Sequence, residues 1–553
     1  MKPRGLRIFV MTAVATMVLA AQATAQAPTR QELNPGARSQ PTRPAPDLLG
    51  APGPGACPLA VNPAPLTVTS VTLRGLESAP LQALRPAYAD LLGKAGDASD
   101  LCRIRDRVAE TLFDRGLLVR VEIPAQTITD GAVTLEVIEA HIVNVTVRGD
   151  PGAAGPALER YARKLRGMAP FDVNKVQRYV LLASDVPGLK VRASVRPNPG
   201  GARGAVDLDL SVERNAQDLL INVQNKQARA TGRWGGLARY DLNAQDGFGD
   251  QVSLIAYRTI RNEQWVAQVL QEGRLGGEGW VIRSSLAYGE SRPGDSLKAL
   301  GLKSKSIVAN LEVAYPLLRA RRENLWLSAG VEAINQDTSA GSPLIKDDLR
   351  IVYAQVKGDK TFYQWGRPML LSGQLSLRQG LAGFGATKQG DRLLSRSEAR
   401  PDAWVLTGSA TFLTNLTPKI SLKADISAQY ADQPLAAYEE YAVGPFTIGR
   451  GYDAAYTSGD QALAASLELR GGPYQPRAGL LVSPYGFFDI AHTRDRDTGG
   501  FNQTVTSVGA GVQIPVRDRW LLDVMFAQPL DRRALDRKTP SGRLLVSLTT
   551  RFF

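Results

Sequence analysis

The chain has 553 residues, a net charge of +13, two cysteines and two histidines. That length exceeds one ordinary domain. Cys57, Cys102, His141 and His492 offer no metal-ligand spacing, and neither a GxxxxGK[ST] phosphate loop nor a nucleophile motif occurs, so the sequence predicts no metal, no cofactor, no ATP site and no enzyme.

Lys2, Arg4 and Arg7 precede an apolar stretch over 8–21, and Ala23-Thr24-Ala25 places small residues at a cleavage position. This predicts a secretory signal peptide over 1–25, with Gln26 the mature start. The stretch falls short of the ~20 residues a spanning helix needs. No later segment reaches that length without charges. Only helices and closed β-barrels cross a bilayer, so a membrane-bound form of the mature chain must be a barrel. An exported chain meets little nucleic acid, and no long Lys/Arg run occurs. The basic balance therefore reads as a basic lumen and loops facing lipid and lipopolysaccharide. Oxidising conditions outside the cytoplasm permit one disulfide between the two cysteines; the alternative is two unrelated thiols.

Residues 26–65 are rich in Pro, Gly, Ala and Gln and read as a linker. A short helix around 30–39 is compatible with them, and whether it plugs a pore is not fixed by the sequence. Between 66 and 214 one unit occurs twice, over 66–140 and 141–214. The first copy reads as a strand over 68–73, a helix over 81–92, a second helix from N-cap Ser99 to about Asp114, and strands over 118–123 and 132–139. In the second helix Leu101, Ile104, Val108 and Leu112 share a face. The second copy repeats the order: a strand over 142–147, helices over 155–165 and from the Asp172 cap onward, then strands over 190–196 and 205–213. Each copy is a β-α-α-β-β unit, three strands carrying two helices on one face.

From about residue 215 to 553 helical spacing gives way to alternation. Leu422, Ala424, Ile426, Ala428 and Tyr430 oppose Ser421, Lys423, Asp425, Ser427 and Gln429. Leu371, Leu375 and Leu377 oppose Ser372, Gln374, Ser376 and Arg378, and Ser466, Glu468 and Arg470 form the polar side of another such stretch. Dyad segments of about 10 residues broken by turns are the signature of a transmembrane barrel, with the charged face turned to a wet lumen. The length suits sixteen antiparallel strands. The final segment places Leu544, Val546, Leu548, Thr550 and Phe552 on the lipid face, so Phe552 rather than Phe553 is in register with it.

Several stretches resemble the two-partner secretion transporters, the haemolysin and filamentous-haemagglutinin secretion proteins of the POTRA-plus-barrel superfamily. These are Cys57-Pro58, Leu101-Cys102, Asp114-Arg115-Gly116-Leu117-Leu118, Ile123-Pro124-Ala125-Gln126 and Asp130-Gly131-Ala132-Val133-Thr134-Leu135. In the barrel, Gly449-Arg450-Gly451-Tyr452 resembles the superfamily's Arg-Gly-aromatic motif, and Phe487-Phe488-Asp489 its Phe-x-Asp partner.

The resemblance implies two POTRA repeats before a 16-stranded barrel in the outer membrane, with the repeats in the periplasm. It implies a Cys57–Cys102 disulfide and a lumen loop whose Arg450 meets Asp489 on the wall beside Phe487. It further implies an ATP-independent monomer that exports an unfolded exoprotein. The strands carrying Leu118, Val119, Val121 and Ile123, and Lys190, Val191 and Val195, are the expected edges for taking up that cargo as an added strand. Two repeats favour secretion over the alternative, a barrel-assembly insertase.

Overall fold

The computed structural model describes residues 28–38, 56–61, 64–500, 502–516, 519–531 and 540–552. The predicted signal peptide and Phe553 lie outside them.

The first α+β unit follows the predicted order with two differences. Residues 81–92 form 3₁₀ turns, Leu81–Ala87 and Ala89–Leu91, instead of an α-helix. Pro86 lacks the N–H that an α-helix needs in its interior, and the turns close with three-residue bonds such as Leu91 N to Tyr88 O at 3.0 Å. The helix Ser99–Asp114 has Ala98, not Ser99, at its N-cap and no side-chain cap there; Asp97 just before it accepts from Ser99 N at 2.8 Å. Its face of Leu101, Ile104, Val108 and Leu112 is buried against Val133, Leu135 and Val137. In the sheet Ala132–Glu139 is central, parallel to Ser70–Arg74 and antiparallel to Val119–Glu122. Asp130 and Gly131 both take positive φ (52° and 72°), the backbone of a tight hairpin turn at the predicted place.

The Cys57–Cys102 disulfide is formed and joins the segment before the first strand to this helix. A bridge across 45 residues removes about 4 kcal/mol of unfolded-state entropy in the loop-closure account. Cys102→Ser should therefore lower the unfolding free energy of the first unit by about 3–4 kcal/mol. The measurement is a urea midpoint followed by proteolysis within residues 66–140, with the barrel's own midpoint unmoved.

Residues 141–214 build the same layer: His141–Arg148 parallel to a central Ala205–Arg214, with Leu189–Pro197 antiparallel at the other edge. Helices Gly155–Leu165 and Val173–Ser184 cover it, and Asp172 caps the latter by accepting from Asn174 N and Lys175 N, each at 3.0 Å. This unit is fixed to the barrel's periplasmic turns. Arg160 donates to the carbonyls of Gly247, Phe248, Arg274 and Gly276 at 3.0–3.3 Å. Arg319 grips the Asp185 carboxylate through two bonds of 2.7 and 2.8 Å, and Ala244 of a barrel turn is buried within the unit's own core.

Sixteen antiparallel strands follow, from Gln217–Gln224 to Arg543–Phe552. The last pairs with the first, Phe552 opposite Leu219, and closes the barrel. One strand is interrupted at residues 472–473 and resumes as Tyr474–Arg477. Strand lengths run from 8 residues to the 23 of Ser342–Gln364, so the expected 10 holds only as a scale.

The faces are as the alternation predicts. Leu371, Leu375, Leu377, Ile426, Leu463, Leu467 and Leu544 are exposed toward lipid, whereas Ser376, Arg378, Gln429, Glu468 and Leu545 are buried toward the lumen. Aromatic pairs mark two belts on the lipid side. Trp265–Tyr288 and Trp404–Tyr430 sit at the outer strand ends, and Trp280–Tyr315 and Trp520–Phe552 at the periplasmic ends. No helix among the described residues is long and apolar enough to cross a membrane; the crossing is made by strands.

The N-terminal segment lies inside the barrel. Arg30–Leu33 forms one helical turn with a capping box between Thr29 and Glu32, and Pro35–Arg38 a second. Leu33 is buried among lumen-facing Ile255, Tyr257, Val266 and Ile334.

Candidate functional site

The loop over 431–460 starts at the outer rim and folds back into the lumen. Its arms pair as a short hairpin, Tyr441–Val443 with Thr457–Gly459. The tip turns at Gly449, whose φ of +125° favours glycine and whose added Cβ would lie 2.7 Å from Val443 Cγ1. Gly451 lets the backbone touch the wall: a Cβ there would lie 2.7 Å from Ser507 Cβ, and Gly451 N donates to Ser507 Oγ at 3.2 Å.

Between these glycines Arg450 meets the strand Leu480–Arg494. Its Nε and Nη2 donate to the two oxygens of Asp489 at 3.0 and 2.7 Å, and its backbone N–H adds a third bond at 2.9 Å. The two-pronged geometry fixes orientation as well as charge. Nη1 donates to Glu468 at 2.7 Å, Nη2 also reaches Ser466 Oγ at 2.7 Å, and the guanidinium carbon sits 3.6 Å from the centre of the Phe487 ring. Asp489 is only 1% exposed, so its charge depends on these partners. Tyr452 is buried, with its hydroxyl 2.9 Å from Thr506 O and 3.1 Å from the Asp531 carboxylate.

The same loop is held at two further places that the sequence reading did not find. Glu439 accepts two bonds of 2.9 Å from Arg378 on another part of the wall, and Arg378 also donates to Glu332 at 2.9 Å. Near the outer mouth Asp460 receives Arg396 through bonds of 2.5 and 3.1 Å, and Glu440 lies 2.7 Å from the same guanidinium. Arg378 was legible as a lumen-facing residue. Its partner was not, because a loop glutamate carries no periodic signal.

The expected uptake edges are edge strands. Val119–Glu122 and Leu189–Pro197 each pair with a central strand on one side only. Helices Ser99–Asp114 and Val173–Ser184 pack beside them. Val119, Val121 and Val191 are buried in the cores, Ile123, Lys190 and Val195 are half-buried, and Arg120, Ser194 and Arg196 are exposed. Leu118 differs: its N–H donates to Phe171 O at 3.3 Å, so it belongs to the joint between the two units. No group of His, Cys, Asp and Glu that could hold a metal occurs among the described residues.

Residues 204–514 match the family described as haemolysin secretion/activation protein ShlB/FhaC/HecB, and residues 66–140 match the POTRA domain, ShlB-type. Among solved structures, CdiB from Escherichia coli is similar with a TM-score of 0.70 at 14% identity, over 100% of this chain and 99% of that one. CdiB from Acinetobacter baumannii follows at 0.65 and 15%, over 98% and 99%. BamA from Haemophilus ducreyi lacking POTRA domains 1-3 gives 0.53 and 14%, over 88% and 100%. No curated protein matches the chain by sequence.

A closed antiparallel barrel in the outer membrane, with a POTRA domain in the periplasm and an arginine-tipped loop across its lumen, defines a polypeptide-handling pore. The chain belongs to the haemolysin secretion/activation family and is a two-partner secretion transporter, with an exported protein as its cargo.

Proposed function

We propose that residues 141–214 are a second POTRA repeat, and that the two repeats take up the unfolded exoprotein along the edges Val119–Glu122 and Leu189–Pro197. Backbone hydrogen bonds to an added strand supply affinity without a fixed cargo sequence. The cargo then passes through the lumen as the loop carrying Arg450 leaves Asp489. No nucleotide is used; folding of the cargo outside supplies direction. The pore works as a monomer, catalyses no covalent reaction, and sits among lipid with its basic outer loops against lipopolysaccharide.

One observation carries this reading: the tip of the loop across the lumen is held to the wall by the Arg450–Asp489 and Arg450–Glu468 ion pairs, and such contacts exchange without covalent change. The test is a comparison of culture media from cells with and without this gene. Loss of one large secreted protein, with other outer-membrane proteins at normal levels, is the expected result. General loss of outer-membrane proteins would favour barrel assembly instead.

A further inference from the structure

The lumen of a wet pore is expected to be polar, yet one part of this wall is not. Ile255, Tyr257, Val266, Ala287, Ile334 and Ile351 all face inward and are buried together. Leu33, itself 1% exposed, is buried with them, beside Ala436 and Tyr438 of the lumen loop. Barrel closure does not call for this apolar patch, because the outward faces of the same strands already carry the residues that lipid requires.

Three hydrogen bonds between the wall and the segment around Leu33 end on the segment's main chain. Gly36 N donates to Gln268 Oε1 at 3.0 Å, Arg239 donates to Gly36 O at 3.3 Å, and Gln336 donates to Pro28 O at 3.1 Å. Side chains of the segment are met as well: Gln268 Nε2 donates to Asn34 Oδ1 at 3.1 Å, and the Arg30 charge acts on Glu439 of the lumen loop. Glu32 caps its own turn through Thr29 N at 2.9 Å. The wall thus meets this segment in part through peptide groups, which every polypeptide has, and through one buried apolar side chain.

We propose that this socket is a polypeptide-binding site within the lumen, which takes an apolar side chain of the exported chain once residues 28–38 withdraw. The inference rests on the transport reading above. The N-terminal segment stands in for cargo, and the two compete for one place. A passing chain is then held by the wall at each suitable leucine-like residue instead of sliding through an inert channel.

The test uses the otherwise full chain lacking residues 28–38, in planar lipid bilayers, with three synthetic peptides added from the periplasmic side. They are residues 28–38 themselves, the same peptide with Leu33→Asp, and a scrambled version that keeps its single leucine. The native peptide should block conductance, and the scrambled one should block within about fivefold of its concentration. The aspartate version should need roughly tenfold more or fail altogether, because an apolar pocket rejects a carboxylate. Three results would overturn the proposal: no block by any peptide, equal block by the aspartate version, or block by the native order alone, which marks a seat dedicated to residues 28–38. These outcomes are independent of the media comparison. If deletion of the gene removes no secreted protein, the transport reading fails while the titration still reports on the socket.

Discussion

Arg450→Ala should cut export at least about tenfold while the barrel still reaches the outer membrane, and Asp489→Ala should do the same. Each substitution strands the other's charge. Asp489 is buried and receives three bonds from Arg450, and Arg450 packs on Phe487. Breaking a fully buried pair costs ~3–5 kcal/mol, and water in the lumen lowers that figure. The double variant should be no worse than either single, since both remove one interaction. Arg450→Lys should fail as well. One ammonium cannot reproduce the planar fork that serves Asp489, Glu468 and Ser466 together. The readout is the amount in the medium of the protein that gene deletion removes. Normal export by both single variants would refute a role for the loop tip in transport.

The second large effect concerns motion of that loop. Gly451→Cys with Ser507→Cys should form a disulfide that stops export under oxidising conditions and restores it on reduction. The built Cβ positions are 2.7 Å apart. A disulfide prefers about 3.8 Å, so the tip has to retreat by roughly 1 Å. The unmodified chain under the same reductant is the control, because its own Cys57–Cys102 bond is reduced too. Wild-type export by the oxidised variant would mean that the tip stays on the wall while cargo passes.

The barrel was legible in the sequence because lipid and water impose opposite demands on alternate residues. Leu375 and Arg378 fell on the correct faces from period two alone. The α+β units were legible in order but not in every element. Residues 81–92 have helical apolar spacing, yet Pro86 has no N–H for an α-helical bond, and backbone chemistry overrode the pattern.

Periodicity says nothing about what crosses the lumen. The Arg450–Asp489 contact came from motif resemblance across 39 residues. The place of residues 28–38 had no such help. The bonds of Gly36 N to Gln268 and of Pro28 O to Gln336 span 232 and 308 positions and end on main-chain atoms of the segment, which leave no residue signature to read.

The attachment of residues 141–214 to the barrel has a mechanical consequence. Arg160 is tied to the turns around Gly247 and Gly276. Those turns join the strands that carry Arg239, Ile255, Val266, Gln268 and Ala287, the staves on which Leu33 is seated. Tension that a cargo bound to residues 141–214 would apply on the periplasmic side is therefore delivered to the staves on which residues 28–38 sit. The periplasmic unit and the N-terminal segment pull on one piece of wall.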